Sequence, residues 1–573
     1  MLFCRLSTGH GSSRRVAAGD AAASSAVNAT MDVVAPALRP NVIEPLESRV
    51  MFSVSKDSGG WTVVGKSLDT RVIYVSSSAG RDSNSGRSSS RPVRTLARAK
   101  ALVRSGRSDW VLLKRGDTWR TGFGVWNKSG RSQSAPLLLS AYGTGKRPLI
   151  NTGDVHAFNT DGSKASHLAI IGLAFHNAAG DPFSSSYQGH SPQGYGLRVV
   201  GGTDGLLVED CSLDAFRNNI SFDSWNGSPR NVTIRRNVIT DAHNSGIYAS
   251  GVAGIRIEQN TLDHNGWNER TSVGGVGHNI YLQPKTTGVV VTGNTIARAG
   301  SHGLQARGGG TITNNLFYKN GIGMSFGLVN GGPIKVGGVS GTVSGNVFLG
   351  TRKINRPGRG WGFGMEIGNT RRDANTTITN NIFAHSGEST SAAMYLAYGS
   401  NVSNAGSVGI NDLTISNNIV YDWSHAISLK SGMVAGGRGA KALNDLVVKF
   451  NQFQMPRTGK QAIHASAVRK SEESWRYNTY AGSTSSRTWY SIEGRTVSLS
   501  TWRSRVESTA RSSRIRYYSP SRTLESYNDS VVGGTRSGTA FLSAARTLSD
   551  TSWRTSLTAD KAITYIRNGF RKV

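Results

Sequence analysis

The sequence predicts an all-β solenoid, a coil of parallel strands, and three observations predict it. The first is a phrase that returns eight times: a branched apolar residue, two positions, Asn, one position, a second apolar residue. It reads IRRNVI at Ile234–Ile239, IEQNTL at Ile257–Leu262, VTGNTI at Val291–Ile296 and ITNNLF at Ile312–Phe317. It returns as VSGNVF at Val343–Phe348, ITNNIF at Ile378–Phe383, ISNNIV at Ile415–Val420 and VKFNQF at Val448–Phe453. Spacings of roughly 20–37 residues lie in the range that marks stacked repeats. The second observation is another strand pattern between these phrases. It starts at Tyr195 (YGLRV), Asn218 (NNISFD), Ser245 (SGIYAS), His278 (HNIYLQ) and His302 (HGLQAR), and continues at Ile322, Phe363, Ala392, His425 and Gln461. The third is glycine, 70 of 573 residues, as expected of a chain that turns constantly.

Ile, Val, Leu and Phe at the repeated positions suit strands. Alternation sends the apolar side chains of each turn into one interior. An Asn at the same place in every turn can stack on the Asn of the next and bond to backbone where the chain bends. Each turn therefore holds at least two strands. Over about residues 166–480 these motifs resemble the right-handed parallel β-helix proteins, the fold of pectate lyases, alginate lyases, chondroitinase-B-type lyases and mannuronan epimerases. The likeness is specific for fold and much weaker for reaction, because many chemistries share the scaffold. The expected architecture is a right-handed parallel β-helix solenoid with an N-terminal capping helix and a small C-terminal α-helical module.

Residues 1–55 read as a leader. They are basic and Ala/Ser-rich and lack the apolar centre of an ordinary signal peptide. EPLESRVMFS (Glu44–Ser53) resembles a short leader motif of planctomycete surface and secreted proteins, which implies export. Residues 56–165 read as a cap and first coils, because a solenoid end exposes an apolar cross-section that must be covered. Within them Pro92 suits a helix start, and Leu96, Ala99 and Leu102–Val103 form its apolar stripe. Residues 166–480 are the repeats. Their corners are expanded at Asp263–Gly277, Gly327–Gly341 and Gly350–Gly362; the first and third carry Trp267 and Trp361 beside several Arg and Lys. Residues 481–573 turn helical, with Trp502 and Val506 one turn apart and Thr558 placed as an N-cap. This tail resembles a small module on related planctomycete β-helix proteins; packing or anchoring is its expected role.

Charge constrains the partner. The 66 Lys and Arg against 35 Asp and Glu give +31, a surface that attracts polyanions. Part of that excess is solvated Arg in the tails. No nucleic-acid motif is present, so an acidic polysaccharide is the expected partner and nucleic acid is not. No run of about 18 apolar residues spans a membrane. The expected protein is secreted or at the cell surface, and monomeric. Of two cysteines, Cys4 lies in the leader and Cys211 sits where the repeat expects Asn, as a buried ladder residue.

Aligning the second strand across turns gives an outward column: Arg198, Ser221, Tyr248, Tyr281, Gln305, Ser325, Glu366, Tyr395, Ser428 and His464. Two residues on, Asp223, Gln283 and Arg307 fall in a second column, and His278, His302 and His425 are equivalent to one another. Neighbouring turns stand about 4.8 Å apart, so Tyr281, His278, His302, Gln305, Gln283 and Arg307 form one patch, with Tyr248, Asp223 and Glu366 at its edges and Lys285 just after it. Corner histidines bonded to backbone and a stacked Tyr ladder would account for the same residues without chemistry. The resemblance to β-helix lyases implies more. Arg307 and Lys285 would neutralise a uronate carboxylate, and Tyr281 with His278, His302 or Lys285 would move the α-proton. Tyr248, Gln283, Gln305, Glu366, Asp223, Trp267 and Trp361 would bind the chain. An epimerase DPH signature is absent. The patch is cationic, so no metal or cofactor is expected to be obligatory, with calcium as the exception left open. A lyase acting by β-elimination is the leading expectation. A non-catalytic carbohydrate-binding protein is the first alternative. A glycoside hydrolase is the second; for it the sequence offers Asp223 with Glu366, several turns apart, or Asp241 with Asp263.

Overall fold

The computed structural model describes residues 54–266, 277–327, 335–352, 362–387, 391–398, 409–431, 443–455, 461–482 and 488–573. Their strands form three long sheets, two of fourteen strands and one of thirteen, in which every third strand of the chain is a neighbour. Apart from an antiparallel hairpin of Tyr490–Ile492 with Arg495–Val497 at the end of the thirteen-stranded sheet, the pairing is parallel and in register from turn to turn, as in a right-handed β-helix. In one turn Arg230–Arg235 lies in the first sheet, Val238–Thr240 in the second and Ser245–Ser250 in the third. Each turn thus has three strands. The sheets also extend beyond the repeat region expected from sequence, from Val72–Val75 to Arg511–Ser512.

The recurring phrase is not one strand but two, joined across a corner. Ile234 belongs to the first sheet, Asn237 stands at the bend and Val238 opens the second sheet. Inward columns such as Ile234, Ile257, Val291, Ile312, Val343, Ile378, Ile415 and Val448 are fully buried. Each such side chain contributes about 1.5–3 kcal/mol. Phe317, Phe348 and Phe383 stack inside with centroids 4.5 Å apart.

The corner runs on asparagine. From Asn237 through Asn260, Asn294, Asn315, Asn346, Asn381, Asn418 and Asn451 to Asn478, each N–H and each Nδ2 donates to the Oδ1 of the next at 2.9–3.0 Å. Each Nδ2 also reaches a carbonyl of the preceding turn, as Asn346 does to Ile312 O at 2.9 Å. Cys211 leads the ladder: its N–H donates to Asn237 Oδ1 at 2.8 Å, and burial pushes its thiol up to about 12. A shorter ladder at the next corner, Asn219, Asn265, Asn279 and Asn320, has no regular spacing to announce it.

The residue before each ladder Asn has positive φ. Gly293, Gly345, Asn314, Asn380 and Asn417 take this conformation readily, whereas Phe450 (φ 57°) and Tyr477 (φ 58°) do not. A left-handed bulky residue costs about 1–2 kcal/mol, while one stacked aromatic pair returns about 0.5–1.5 kcal/mol.

Both ends are closed. Helix Leu96–Leu102 buries Leu96 and Ala99; its N-cap is Thr95, which accepts from the Arg98 N–H. Pro92 precedes that cap and does not open the helix. At the far end helix Leu499–Arg505 inserts Trp502, stacked on Tyr490 at 4.7 Å. The helices Leu524–Tyr527, Gly538–Ala545 and Ala559–Gly569 then cross the outer face of the second sheet, burying Tyr527, Phe541, Leu542 and Ile566 against Val238, Leu316, Val347 and Ile382. Thr558 flanks the last helix without a side-chain capping bond.

Candidate functional site

The third sheet turns the expected column into neighbours. Arg198, Ser221, Tyr248, Tyr281, Gln305, Ser325, Glu366, Tyr395, Ser428 and His464 are consecutive partners across it. Asn279 and Ile280 are both fully buried, so the chain bends between them and leaves His278 on the flank of Tyr281. The two rings are 4.7 Å apart, edge to face, and His278 stands 5.0 Å from His302.

Arg307 places its guanidinium 5.1 Å from the centre of the Tyr281 ring. Burial lowers the Arg307 pKa. Burial also raises the Tyr281 hydroxyl pKa, with Arg307 opposing, so the phenol is protonated at neutral pH. Gln305 joins the pair. With its carbonyl toward Arg307 Nε and Nη2, both at 3.2 Å, its amide donates to His278 Nε2 at 3.0 Å. Nε2 then carries the lone pair and Nδ1 the proton. The His302 N–H also approaches His278 Nδ1, at 3.4 Å, which would require the other tautomer. The Gln305 arrangement prevails, because a buried guanidinium must face an acceptor.

His302 is held at both nitrogens: Nδ1 lies 3.0 Å from Ser301 Oγ and Nε2 lies 3.2 Å from Glu366 Oε2. His302 and Glu366 are 7 % and 5 % exposed. Glu366 stands two turns from the Gln305 strand and reaches back past Ser325, whose small side chain leaves the space. Tyr248 packs edge to face on Tyr281 at 5.5 Å, and Gln283 Nε2 lies 3.5 Å from its hydroxyl. Gln283 Oε1 is buried without a donor among the described residues.

Two expected members are not in the cluster. Lys285 is exposed in the turn after the strand and bonds to none of these groups. Asp223 is exposed and spends Oδ1 on the N–H of Trp225, two residues on, so it caps its own turn. Trp267 and Trp361 lie outside the described residues, as does most of the corners Asp263–Gly277 and Gly350–Gly362. The Asp241–Asp263 pair has another use. Arg546 of the C-terminal module donates to Asp263 Oδ2 at 2.6 Å and Asp241 Oδ2 at 2.7 Å, and Arg298 also holds Asp263. Clefts of about 850 Å³, between the turns around Arg115 and the segment around Ser549, and of about 340 Å³, under the N-terminal hairpin, lie away from the cluster, which occupies an open sheet face. Among the described residues no three His, Cys, Asp or Glu side chains gather as a metal site, and no helix is long and apolar enough to cross a membrane.

Residues 165–348 match the family "Right handed beta helix region". No curated protein matches the chain. Among solved structures, a GH136 lacto-N-biosidase from Eubacterium ramulus is 13% identical, with 78% of this chain and 68% of that chain covered and a TM-score of 0.37. A mannuronan C-5 epimerase A-module from Azotobacter vinelandii is 14% identical, covering 71% and 91%, with a TM-score of 0.37. An alginate lyase from Paenibacillus sp. str. FPU-7 is 16% identical, covering 65% and 94%, with a TM-score of 0.32. Identities this low speak to the fold alone.

Within this β-helix region, sequence reasoning missed Ser301 and Ser325. Ser325 was visible in the column, but its smallness carries meaning only once Glu366 is seen to reach across it. A Cβ at Gly303 would stand 2.6 Å from the Gly323 carbonyl, so the backbone after His302 could not hold this position with a larger residue without shifting.

Proposed function

We propose that this flank binds uronate units of an acidic polysaccharide and cleaves the chain by β-elimination. One observation carries the reading. A protonated phenol, an imidazole and a guanidinium from adjacent turns meet at Tyr281, with His278 at 4.7 Å and Arg307 at 5.1 Å. Arg307 pairs with the substrate carboxylate and stabilises the charge that grows as the α-proton leaves. His278 Nε2, released from Gln305, takes that proton. Tyr281 donates its hydroxyl proton to the glycosidic oxygen as the C–O bond breaks and the C=C bond forms. His302, fixed by Glu366 and Ser301, positions His278. Gln283 Oε1 accepts from a sugar hydroxyl, with Tyr248 beside it. Arg307 does the work of a neutralising cation, so this reading needs no calcium. The surplus of positive charge supports an acidic substrate.

Ultraviolet absorbance of the unsaturated product tests it, with alginate, pectate and glycosaminoglycans as substrates. A rise with wild type that disappears in Tyr281→Phe and in Arg307→Ala is expected. New reducing ends without absorbance would replace the lyase with a hydrolase. Binding without cleavage is the second reading, favoured by one observation: Gln305 already satisfies both His278 and Arg307. Retention of uncleaved polymer by wild type would establish it.

A further inference from the structure

Phe450 and Tyr477 stand on successive turns at the asparagine corner, on the edge between the first and second sheets and away from the third-sheet cluster. Their rings are parallel within 5°, with centroids 5.3 Å apart, and they are 47 % and 44 % exposed. Both residues hold the left-handed conformation that Gly or Asn supplies at Gly293, Asn314, Gly345, Asn380 and Asn417. Two disfavoured backbones and two exposed rings together outweigh the stabilisation of one stacked pair. Strain of this kind points to a role beyond the fold.

The neighbouring residues say what the rings face. Lys449 and Arg476 immediately precede them in sequence and are partners across the first sheet. Their carbonyls accept from the Asn417 and Phe450 N–H groups, and neither charged side chain has an ion-pair or hydrogen-bond partner among the described residues. Two open aromatic rings beside two unneutralised cations suit a ligand with an apolar face and a regularly placed negative charge.

We infer that Phe450, Tyr477, Lys449 and Arg476 form a second, non-catalytic binding site for an acidic polysaccharide, with sugar rings against the aromatics and carboxylates at the cations. The choice of ligand rests on the reading of the third-sheet flank; the existence of the site does not. A polymer held at both places would be retained more strongly than at either alone.

The test uses the full chain carrying Tyr281→Phe, so that retention is measured without turnover, on immobilised alginate and polygalacturonate. Phe450→Asn with Tyr477→Asn should weaken retention about tenfold, the size expected when apolar sugar faces lose the rings they rest on. The same substitutions should raise or preserve the melting temperature, because Asn accepts the left-handed conformation. Lys449→Gln with Arg476→Gln should weaken retention without a change in melting temperature. A lower melting temperature with unchanged retention would reduce the rings to a structural ladder and overturn the site. An oligodeoxythymidylate that is retained more tightly than either polysaccharide would overturn the ligand. Loss of cleavage by the Tyr281 flank alone changes none of these readouts.

Discussion

Glu507 Oε1 lies 2.8 Å from the Asn478 N–H and 3.1 Å from its Nδ2, so a single carboxylate closes the long asparagine ladder. Its other oxygen accepts from Tyr480 Oη at 2.7 Å. Glu507→Ala leaves buried donors unpaired and should cost roughly 3 kcal/mol, while Glu507→Gln keeps an acceptor and should cost about 1 kcal/mol. Denaturant unfolding of the two variants checks the order; equal losses would refute the capping role.

Mid-ladder, Asn346→Leu should destabilise by about 2–4 kcal/mol, although leucine has similar size. The reason is that the Asn315 N–H and Nδ2 both lose their acceptor, while Asn381 Oδ1 loses the Nδ2 donor and keeps only the backbone N–H of residue 346. A change below about 0.5 kcal/mol in the same unfolding experiment would show that the ladder is decorative.

The His302–Glu366 contact positions His278 without touching substrate in our reading. Glu366→Gln should therefore lower kcat about tenfold and leave KM nearly unchanged, while His278→Gln should abolish turnover. A rise in KM with kcat little changed for Glu366→Gln would instead place Glu366 on the substrate.

Arg546 ties the C-terminal helices to Asp241 and Asp263, and the Asp263 side chain is fully buried. Arg546→Met should cost about 3–5 kcal/mol of docking free energy. Limited proteolysis should then cut between the solenoid and the helices first. Resistance equal to wild type would show that apolar packing alone holds the module.

Asp210 predicts a pH dependence. Burial raises its carboxyl to about 6, against the opposing pull of Arg147 2.5 Å away. A raised carboxylate pKa means that the folded chain holds the proton longer than the unfolded chain. Stability is thus fullest below about pH 4 for this group and declines by roughly 2–3 kcal/mol as pH rises through 6. Melting temperatures across pH 4–7 should show this fall in wild type and lose that slope in Asp210→Asn. An unchanged slope would assign it to other groups.

Much of the fold was legible because it repeats. The phrase around Asn237 and its seven returns carried the corner, the interior apolar columns and the turn-to-turn register, and the column from Arg198 to His464 followed by simple alignment. The third strand of each turn was hidden, because the phrase joins two short strands across Asn and looks continuous on paper. The second ladder, Asn219 to Asn320, was hidden by unequal turn lengths. Counting along the chain sets Asp223 at the edge of the patch and Lys285 just after it, yet the turn that follows each strand directs them to solvent or to their own backbone.

Parallel stacking of the turns and the set of residues that face outward together are written into the repeat, since both follow from periodic burial and from amides that must bond at every bend. Which outward residues touch is settled in three dimensions. Glu366 meets His302 because Ser325 is small, and Asp241 and Asp263 meet Arg546 because a distant helix folds back over the second sheet. Such contacts depend on side-chain reach across space, which no repeat pattern along a chain encodes.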